Sequence, residues 1–191
     1  MSEVIEFVDD VLSEPIVEYK RNFMLSRFWQ ANPKQILSEI EFYNGMKILD
    51  IGCGTGNLLF EMSNLIANYE FKGIDTNPRK IDTAESKLDD TDNIEFLVAD
   101  AAKLPFKTNY FDVIVCTNTF CYLEHKGKAL QETYRVLKQF GRFLILESVR
   151  NDHYKKKLDK IIRQSPFIKY SRRFLNRTAL FAGSYLISCQ K

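Results

Sequence analysis

Five short apolar segments recur between residues 46 and 149, and they limit the folds open to this chain more than any other feature. They are "MKILDIG" (46–52), "YEFKGID" (69–75), "NIEFLVAD" (93–100), "FDVIVCT" (111–117) and "GRFLILESV" (141–149). Each is rich in β-branched or aromatic residues and is bounded by turn or polar residues, as strands are. They lack a regular polar alternation, so both faces of each strand are expected to be covered, which is the mark of a parallel sheet. Between them lie helical patterns. "NLLFEMSNLIA" (57–67) places Leu58, Met62, Leu65 and Ile66 on one face. "NPRKIDTAESKLDD" (77–90) opens with Asn77 as N-cap and Pro78 at the first helical position. "KGKALQETYRVLKQF" (126–140) sets Leu130, Tyr134 and Leu137 on a stripe that Gly141 should close. Strands alternating with helices predict an α/β fold, a doubly wound sheet with right-handed crossovers.

The flanks extend this unit. Residues 4–43 read as helical, broken near Pro15 and again at "ANPKQ" (31–35). Downstream, 151–164 reads as a helix, "SYLISCQK" (184–191) as a strand, and "FIKYSRRFL" (167–175) as a less sharply marked one. At 191 residues the chain suits one domain with a real core. Its start is acidic, without the basic and apolar regions of a secretory signal. No apolar run approaches the roughly 20 residues that span a bilayer, so a cytoplasmic location is expected. The cysteines, Cys53, Cys116, Cys121 and Cys189, form no C-x-x-C pair and stand at no metal-ligand spacing to His125 or His153. Free thiols are expected, and no metal.

"ILDIGCGTGNLL" carries three glycines, Gly52, Gly54 and Gly56, directly after the first strand. In an open α/β sheet ligands bind beyond the carboxyl ends of the strands, where strand order reverses. Several nucleotide-like ligands use such turns. The spacing G-x-G-x-G, followed by Asn57, is not the G-x-G-x-x-G of a dinucleotide turn, and no P-loop pattern is present. Asp50 would repel a pyrophosphate but suits an ammonium or sulfonium charge. Asp75, 19 positions beyond Gly56 at the end of the second strand, can accept both hydroxyls of a ribose. Asp100, ending the third, can take the exocyclic amine of an adenine. A cation, a ribose and an adenine together describe S-adenosylmethionine.

These segments resemble the class I S-adenosylmethionine-dependent methyltransferases of the small-molecule type. The likeness runs over about residues 45–149 through "ILDIGCGTGNLL", "FKGIDTNPRKI", "FLVADAAKLPFKTNYFDVIVCTNTFCYLEH" and "ALQETYRVLKQFGRFLI", in the family's order. It implies a Rossmann-like sheet of seven strands with the last antiparallel, preceded by N-terminal helices. It further implies cofactor contacts from Asp50, Gly52, Cys53, Gly54 and Gly56 at the methionine end, and from Asp75 and Thr76 at the ribose. Asp100 and the Ala101 backbone would lie at the adenine, and Thr117 near the reacting methyl. "KQFG" (138–141) departs from the proline and two glycines usual in the family before the fifth strand.

The acceptor side is less legible. Tyr122 and His125 follow the fourth strand, where this fold faces its substrate, and they are the candidate catalytic residues; His125 could take a proton or simply start a helix. Displacement at a sulfonium methyl chiefly needs in-line proximity, so a base is optional. Tyr19, Arg21, Arg27 and Trp29 belong to a region (1–44) expected to act as a lid or to pack as an amphipathic helix. Asp112 reads as a structural strand-start residue. Residues 150–177 hold ten Lys or Arg against Asp152 and Asp159, a surplus of eight, and leave the rest of the chain at −6 beneath an overall +2. The cluster suits a phosphorylated substrate, an anionic membrane surface or a nucleic acid, but a solvated face is the favoured reading. The chain is thus divided into a lid (1–44), a cofactor-binding core (45–149) and a basic segment with closing strands (150–191). The expected activity is methyl transfer to oxygen, nitrogen or carbon of a small, anionic or lipid-like acceptor. The rivals are a non-catalytic cofactor-binding module, an RNA or protein methyltransferase, and aminopropyl transfer. Oligomeric state is not legible.

Overall fold

A computed structural model describes residues 33–66, 68–89, 93–149, 152–175 and 183–191. Seven strands form one sheet: β1 (Met46–Ile51), β2 (Tyr69–Asp75), β3 (Ile94–Val98), β4 (Phe111–Thr117), β5 (Leu137–Val149), β6 (Lys169–Leu175) and β7 (Gly183–Gln190). Their order is β3-β2-β1-β4-β5-β7-β6. Pairing is parallel from β3 to β5, whereas β7 runs antiparallel to both β5 and β6. The sheet is therefore the expected mixed, doubly wound one. The less sharply marked strand near 167–175 is real, and it forms the edge.

Both faces are covered. Helices α1 (Asn57–Ser63) and α2 (Pro78–Glu85) bring Leu58, Leu59, Met62, Ile81 and Ala84 onto Ile48, Phe71, Val113 and Val115. On the other face α3 (Lys126–Val136) and α4 (Asp152–Gln164) bury Ala129, Leu130, Leu158, Ile161 and Ile162 against Ile114, Phe143, Ile145 and Ile187. The two-sided burial explains why the strands lack polar alternation. Asn77 caps α2 as expected, its side chain accepting from the Arg79 amide at 3.0 Å with Pro78 next in line. Ahead of β1, Pro33–Glu39 is a 3-10 helix that buries Ile36. The helices expected before it, with Tyr19, Arg21, Arg27 and Trp29, lie outside the described residues.

Three helix ends need correction. The first is that α2 stops at Glu85 rather than running on toward 90, because the chain tightens into turns where the Lys87 and Leu88 amides donate to the Ala84 and Glu85 carbonyls. Helix α1 stops at Ser63 rather than reaching 67: the Asn64 side chain donates to the Phe60 carbonyl, and Leu65, expected on the buried face, is 51% exposed. Helix α3 ends at Val136, four residues early. Its last carbonyls, of Arg135 and Val136, accept from the amides of Asn109 and Tyr110, so the strand-leading loop closes the helix instead of a glycine. Leu137 is then free to pair with Phe111 at the start of β4. Gly141 serves a different end, since a β-carbon there would lie 2.9 Å from the Asp112 carbonyl. It lets β5 approach β4.

Asp112 is structural, as its place at a strand start suggested. Its carboxylate accepts from the Lys47 amide at 2.9 Å and from Lys138 Nζ at 2.7 Å, joining β1, β4 and β5 at their entry ends. Burial pushes its pKa up, but Lys138, the Lys47 amide and Tyr43 outweigh this and hold it below the usual carboxylate range. A depressed folded pKa gives stability that is present above the unfolded pKa of about 4 and is lost as pH falls through the folded value. Asp112→Asn is therefore expected to cost about 1–2 kcal/mol at pH 7. The cost should fade in acid, as denaturant melts at pH 7 and pH 3 will check.

Candidate functional site

β1 lies between β2 and β4, so its carboxyl end is the point where strand order reverses. The chain leaves β1 in a turn built on positive φ, at Gly52 (76°), Gly54 (59°) and Gly56 (79°). The amides of Gly52 and Cys53 both donate to the Ile74 carbonyl, at 2.7 and 2.9 Å, and the Gly56 amide donates to the Cys53 carbonyl at 3.0 Å. The three glycines answer different needs. A β-carbon at Gly52 would sit 2.2 Å from the Thr119 side chain, and one at Gly56 would sit 2.5 Å from the Phe96 ring. At Gly54 it would meet nothing within 4 Å among the described residues. Gly52 and Gly56 are thus required by packing, while Gly54 presents bare backbone to open space.

Two carboxylates flank this opening. Asp50 is 1% exposed, and its Oδ1 has no hydrogen-bond partner among the described residues. Burial, and then the charge of Asp75, push its pKa up to about 7. A buried carboxylate in this state is stabilised by an incoming cation. Asp75 ends β2 and is fully engaged: Oδ2 accepts from the Gly54 amide and from Lys80 Nζ, each at 3.2 Å, and Oδ1 from the Asn77 amide at 2.9 Å. Thr76 beside it is exposed. Past the end of β3, exposed Asp100 accepts from the Ala102 amide at 2.9 Å, while Ala101 is buried. The Ala99 amide donates to the Asp75 carbonyl at 3.2 Å, which ties the two strand ends together. Thr117 is half-buried at the end of β4. The Cys53 thiol is buried, and burial raises its pKa, followed by Asp50 and Asp75. It is an inert packing group.

Tyr122 and His125 occupy the loop between β4 and α3. Tyr122 is 39% exposed in a short 3-10 turn (Phe120–Tyr122), and exposed His125 precedes α3 without capping it through its side chain. Sequence reasoning missed three groups here. Thr119 Oγ1 faces the Gly52 and Thr117 carbonyls at 3.4 and 3.1 Å, linking the glycine turn to this loop. Lys87 Nζ donates to the Thr55 carbonyl and to the Asn57 side chain, each at 2.8 Å, holding the turn from α2's far end. Glu147, in the apolar run of β5, is 2% exposed and accepts from the Cys121 amide at 3.2 Å. An acid inside so apolar a segment was the available signal for Glu147. Nothing in the sequence singles out the other two.

The basic segment divides between α4 and β6. Lys156, Lys160 and Arg163 share the outer face of α4, whose inner face is core. Arg172 pairs with Asp159, Arg173 with Glu39, and Lys155 Nζ lies 4.2 Å over the Phe174 ring. Among the described residues no group of His, Cys, Asp or Glu could hold a metal, and no helix is long and apolar enough to cross a membrane.

Comparison with known proteins agrees with this fold. The chain is 32% identical over 126 residues to the demethylmenaquinone methyltransferase of Thermotoga maritima, a match spanning 66% of this chain and 52% of that one. It is 32% identical over 136 residues to a ubiquinone/menaquinone biosynthesis C-methyltransferase UbiE of a Shewanella species, spanning 69% and 53%. The chain thus spans about half the length of the curated relatives it matches. A solved SAM-dependent methyltransferase from Aquifex aeolicus superposes with a TM-score of 0.70 over 95% of this chain and 96% of that one, at 22% identity, a likeness of fold. Residues 43–177 match the methyltransferase domain family, and the chain belongs to it, with the fold of the class I S-adenosylmethionine-dependent methyltransferases.

Proposed function

We propose that this chain moves a methyl group from S-adenosylmethionine to a small, lipid-like acceptor, with an electron-rich ring carbon as the leading acceptor atom and oxygen or nitrogen as the alternatives. The quinone-pathway names of the curated relatives support this acceptor class. The observation that carries the cofactor assignment is the unpartnered, buried Asp50 oxygen beside the open backbone at Gly54. An amino-acid ammonium satisfies that oxygen, and a bare glycine admits the rest of the methionine portion without a clash. When bound, the cofactor supplies an electrophilic methyl on a sulfonium.

The chain's own residues then bind and orient. Asp50, with the turn Gly52–Cys53–Gly54–Gly56, holds the methionine end, and Asp75 with Thr76 holds the ribose. Asp75 already holds Lys80, so ribose hydroxyls replace or join an existing donor there. Asp100 and the Ala101 backbone take the adenine, and Thr117 lines the approach to the methyl. Tyr122 and His125 are assigned to the acceptor side, and in this reading His125 takes the proton that a ring carbon loses on methylation. The main demand is in-line placement of acceptor and methyl. A non-catalytic module would keep cofactor binding and transfer nothing. Calorimetry with S-adenosylmethionine, followed by labelled-methyl transfer to a prenylated demethylquinol, separates the two readings.

Asp50→Asn should act oppositely on stability and on binding. A carboxylate with a raised folded pKa costs nothing below the unfolded value of about 4, and its cost grows until pH passes about 7. The variant without cofactor should therefore melt higher than the parent at pH 8, by an amount on the order of 2–4 kcal/mol, and equal it in strong acid. Its affinity for S-adenosylmethionine should fall at least about ten-fold at pH 8, measured by calorimetry.

Gly54→Ala should weaken the cofactor by a similar factor, of about ten-fold or more, because the methyl enters the ligand space and φ of 59° strains any L-residue. The basic face of α4 is read as solvated. Replacing Lys155–Lys157 by Gln should leave binding to anionic vesicles, RNA and phosphorylated metabolites within about two-fold. A loss beyond about five-fold with any one of them would instead mark that class as a partner.

A further inference from the structure

Three consecutive residues at the end of β5 grip the loop that leaves β4. The Leu146 carbonyl accepts from the Asn118 amide at 2.8 Å, and Ser148 Oγ donates to the Asn118 side chain at 3.4 Å. Between them, Glu147 reaches the opposite side of the sheet and takes the Cys121 amide at 3.2 Å, with the Phe120 amide and the Cys121 thiol also directed at its carboxylate. Asn118 itself sits at φ 52°, a conformation such outside contacts help to hold. The 3-10 turn Phe120–Tyr122 is thus fastened through its amides to a side chain of a neighbouring strand.

We infer that Glu147 is a positioning residue for methyl transfer: its buried carboxylate fixes the β4–α3 loop and thereby the stance of Tyr122 and His125 over the acceptor. This rests on the reading that this loop faces the acceptor. Glu147 is too deeply buried to touch an acceptor itself. Simple stability does not account for it either, because burying a carboxylate is costly and a neutral isostere could pack in its place. Its charged surroundings are few. Lys126, at the start of α3, is buried alongside it and donates to the Leu123 carbonyl at 2.5 Å, so it grips the same loop from the other end. Cys116 on β4 and Cys121 in the loop face it as neutral thiols, their pKa values raised by burial first and then by Glu147 itself. Tyr185 of β7 is its register partner, and its phenol is bonded to Asp159 of α4. A group that costs folding energy while ordering a substrate-side loop fits the usual trade between stability and function.

Protonation supplies the discriminating readout. Burial pushes the Glu147 pKa up to about 7, against the amides, the thiol and Lys126, which work to lower it. The ionised form accepts from the loop amides more strongly, so loop protection should rise as pH passes through that range.

The experiment is amide hydrogen exchange on the full chain, corrected for intrinsic rates, between pH 6 and 8.5. In the parent, protection of the Phe120–Leu123 amides should climb across this range. In Glu147→Gln it should be flat and lower by about ten-fold at pH 8, with β1 and β4 amides and S-adenosylmethionine affinity unchanged. Acceptor KM should rise more than kcat falls, and melting at pH 8 should be no lower than the parent's. Lys126→Met, which keeps the carboxylate but removes the neighbouring cation, should shift the protection profile to higher pH. Equal loop exchange in parent and Glu147→Gln would overturn the inference. So would a general loss of protection throughout the core, which would mark a merely structural role. Absence of methyl transfer in the parent, with the loop responding as described, would overturn the proposed activity and leave only the fastening of the β4–α3 loop by Glu147.

Discussion

The paired hydrogen bonds from the Gly52 and Cys53 amides to the Ile74 carbonyl govern the geometry of this molecule's working end. They fold the exit of β1 back across the end of β2, which no residue with a β-carbon at Gly52 could follow without striking Thr119. Once the turn lies there, the next free amide, that of Gly54, points at Asp75. The carboxylate of Asp50 is sealed beneath the turn, and α1 starts from Gly56. A single bifurcated carbonyl thereby sets the positions of two acids, three glycines and a helix.

Asp50, Asp75 and Glu147 are buried acids at this end of the sheet, and the first and last are buried for different reasons. Asp50 keeps an oxygen unpartnered, and its pKa rises because nothing opposes burial and the repulsion of Asp75. Glu147 is surrounded by donors, yet burial still prevails over them. The first has no donor at one oxygen among the described residues, and the last is in use by its own chain. Both are carried at a cost to folding that the apolar faces of the sheet absorb. Asp112, at the opposite end, shows the contrasting case of a carboxylate whose partners prevail over burial and which strengthens the fold.

Much of this was legible in the residues. The strands and their parallel pairing followed from unbroken apolar runs, and the capped start of α2 followed from Asn77-Pro78. The cofactor class followed from the glycine spacing together with Asp50, Asp75 and Asp100 at three strand ends, because those positions answer to local backbone chemistry. The errors came where distant chain decides a boundary. Helix α3 stops at Val136 because Asn109 and Tyr110 reach across to its carbonyls, and periodicity carries no record of such a partner. Leu65 is the local exception, read as core although the neighbouring Asn64 ends the helix on the Phe60 carbonyl four residues back. Thr119 and Lys87 were invisible for the same reason, since their roles exist only once strands far apart in sequence are neighbours. Glu147 was visible as an oddity, but only the fold says what it holds.

The order of the last two strands carries a consequence for how the chain acquires this shape. Strand β6 precedes β7 in sequence, but β7 takes the place between β5 and β6, and β6 bonds to no other strand among the described residues. During synthesis, then, β6 emerges with nothing to pair with, and β5 shows an open edge, until β7 arrives and satisfies both at once. Arg172 and Arg173, exposed on that waiting edge strand, are the kind of charge that keeps unpaired strands from joining one another. The same two side chains stay on the edge of the finished sheet, where they pair with Asp159 and Glu39.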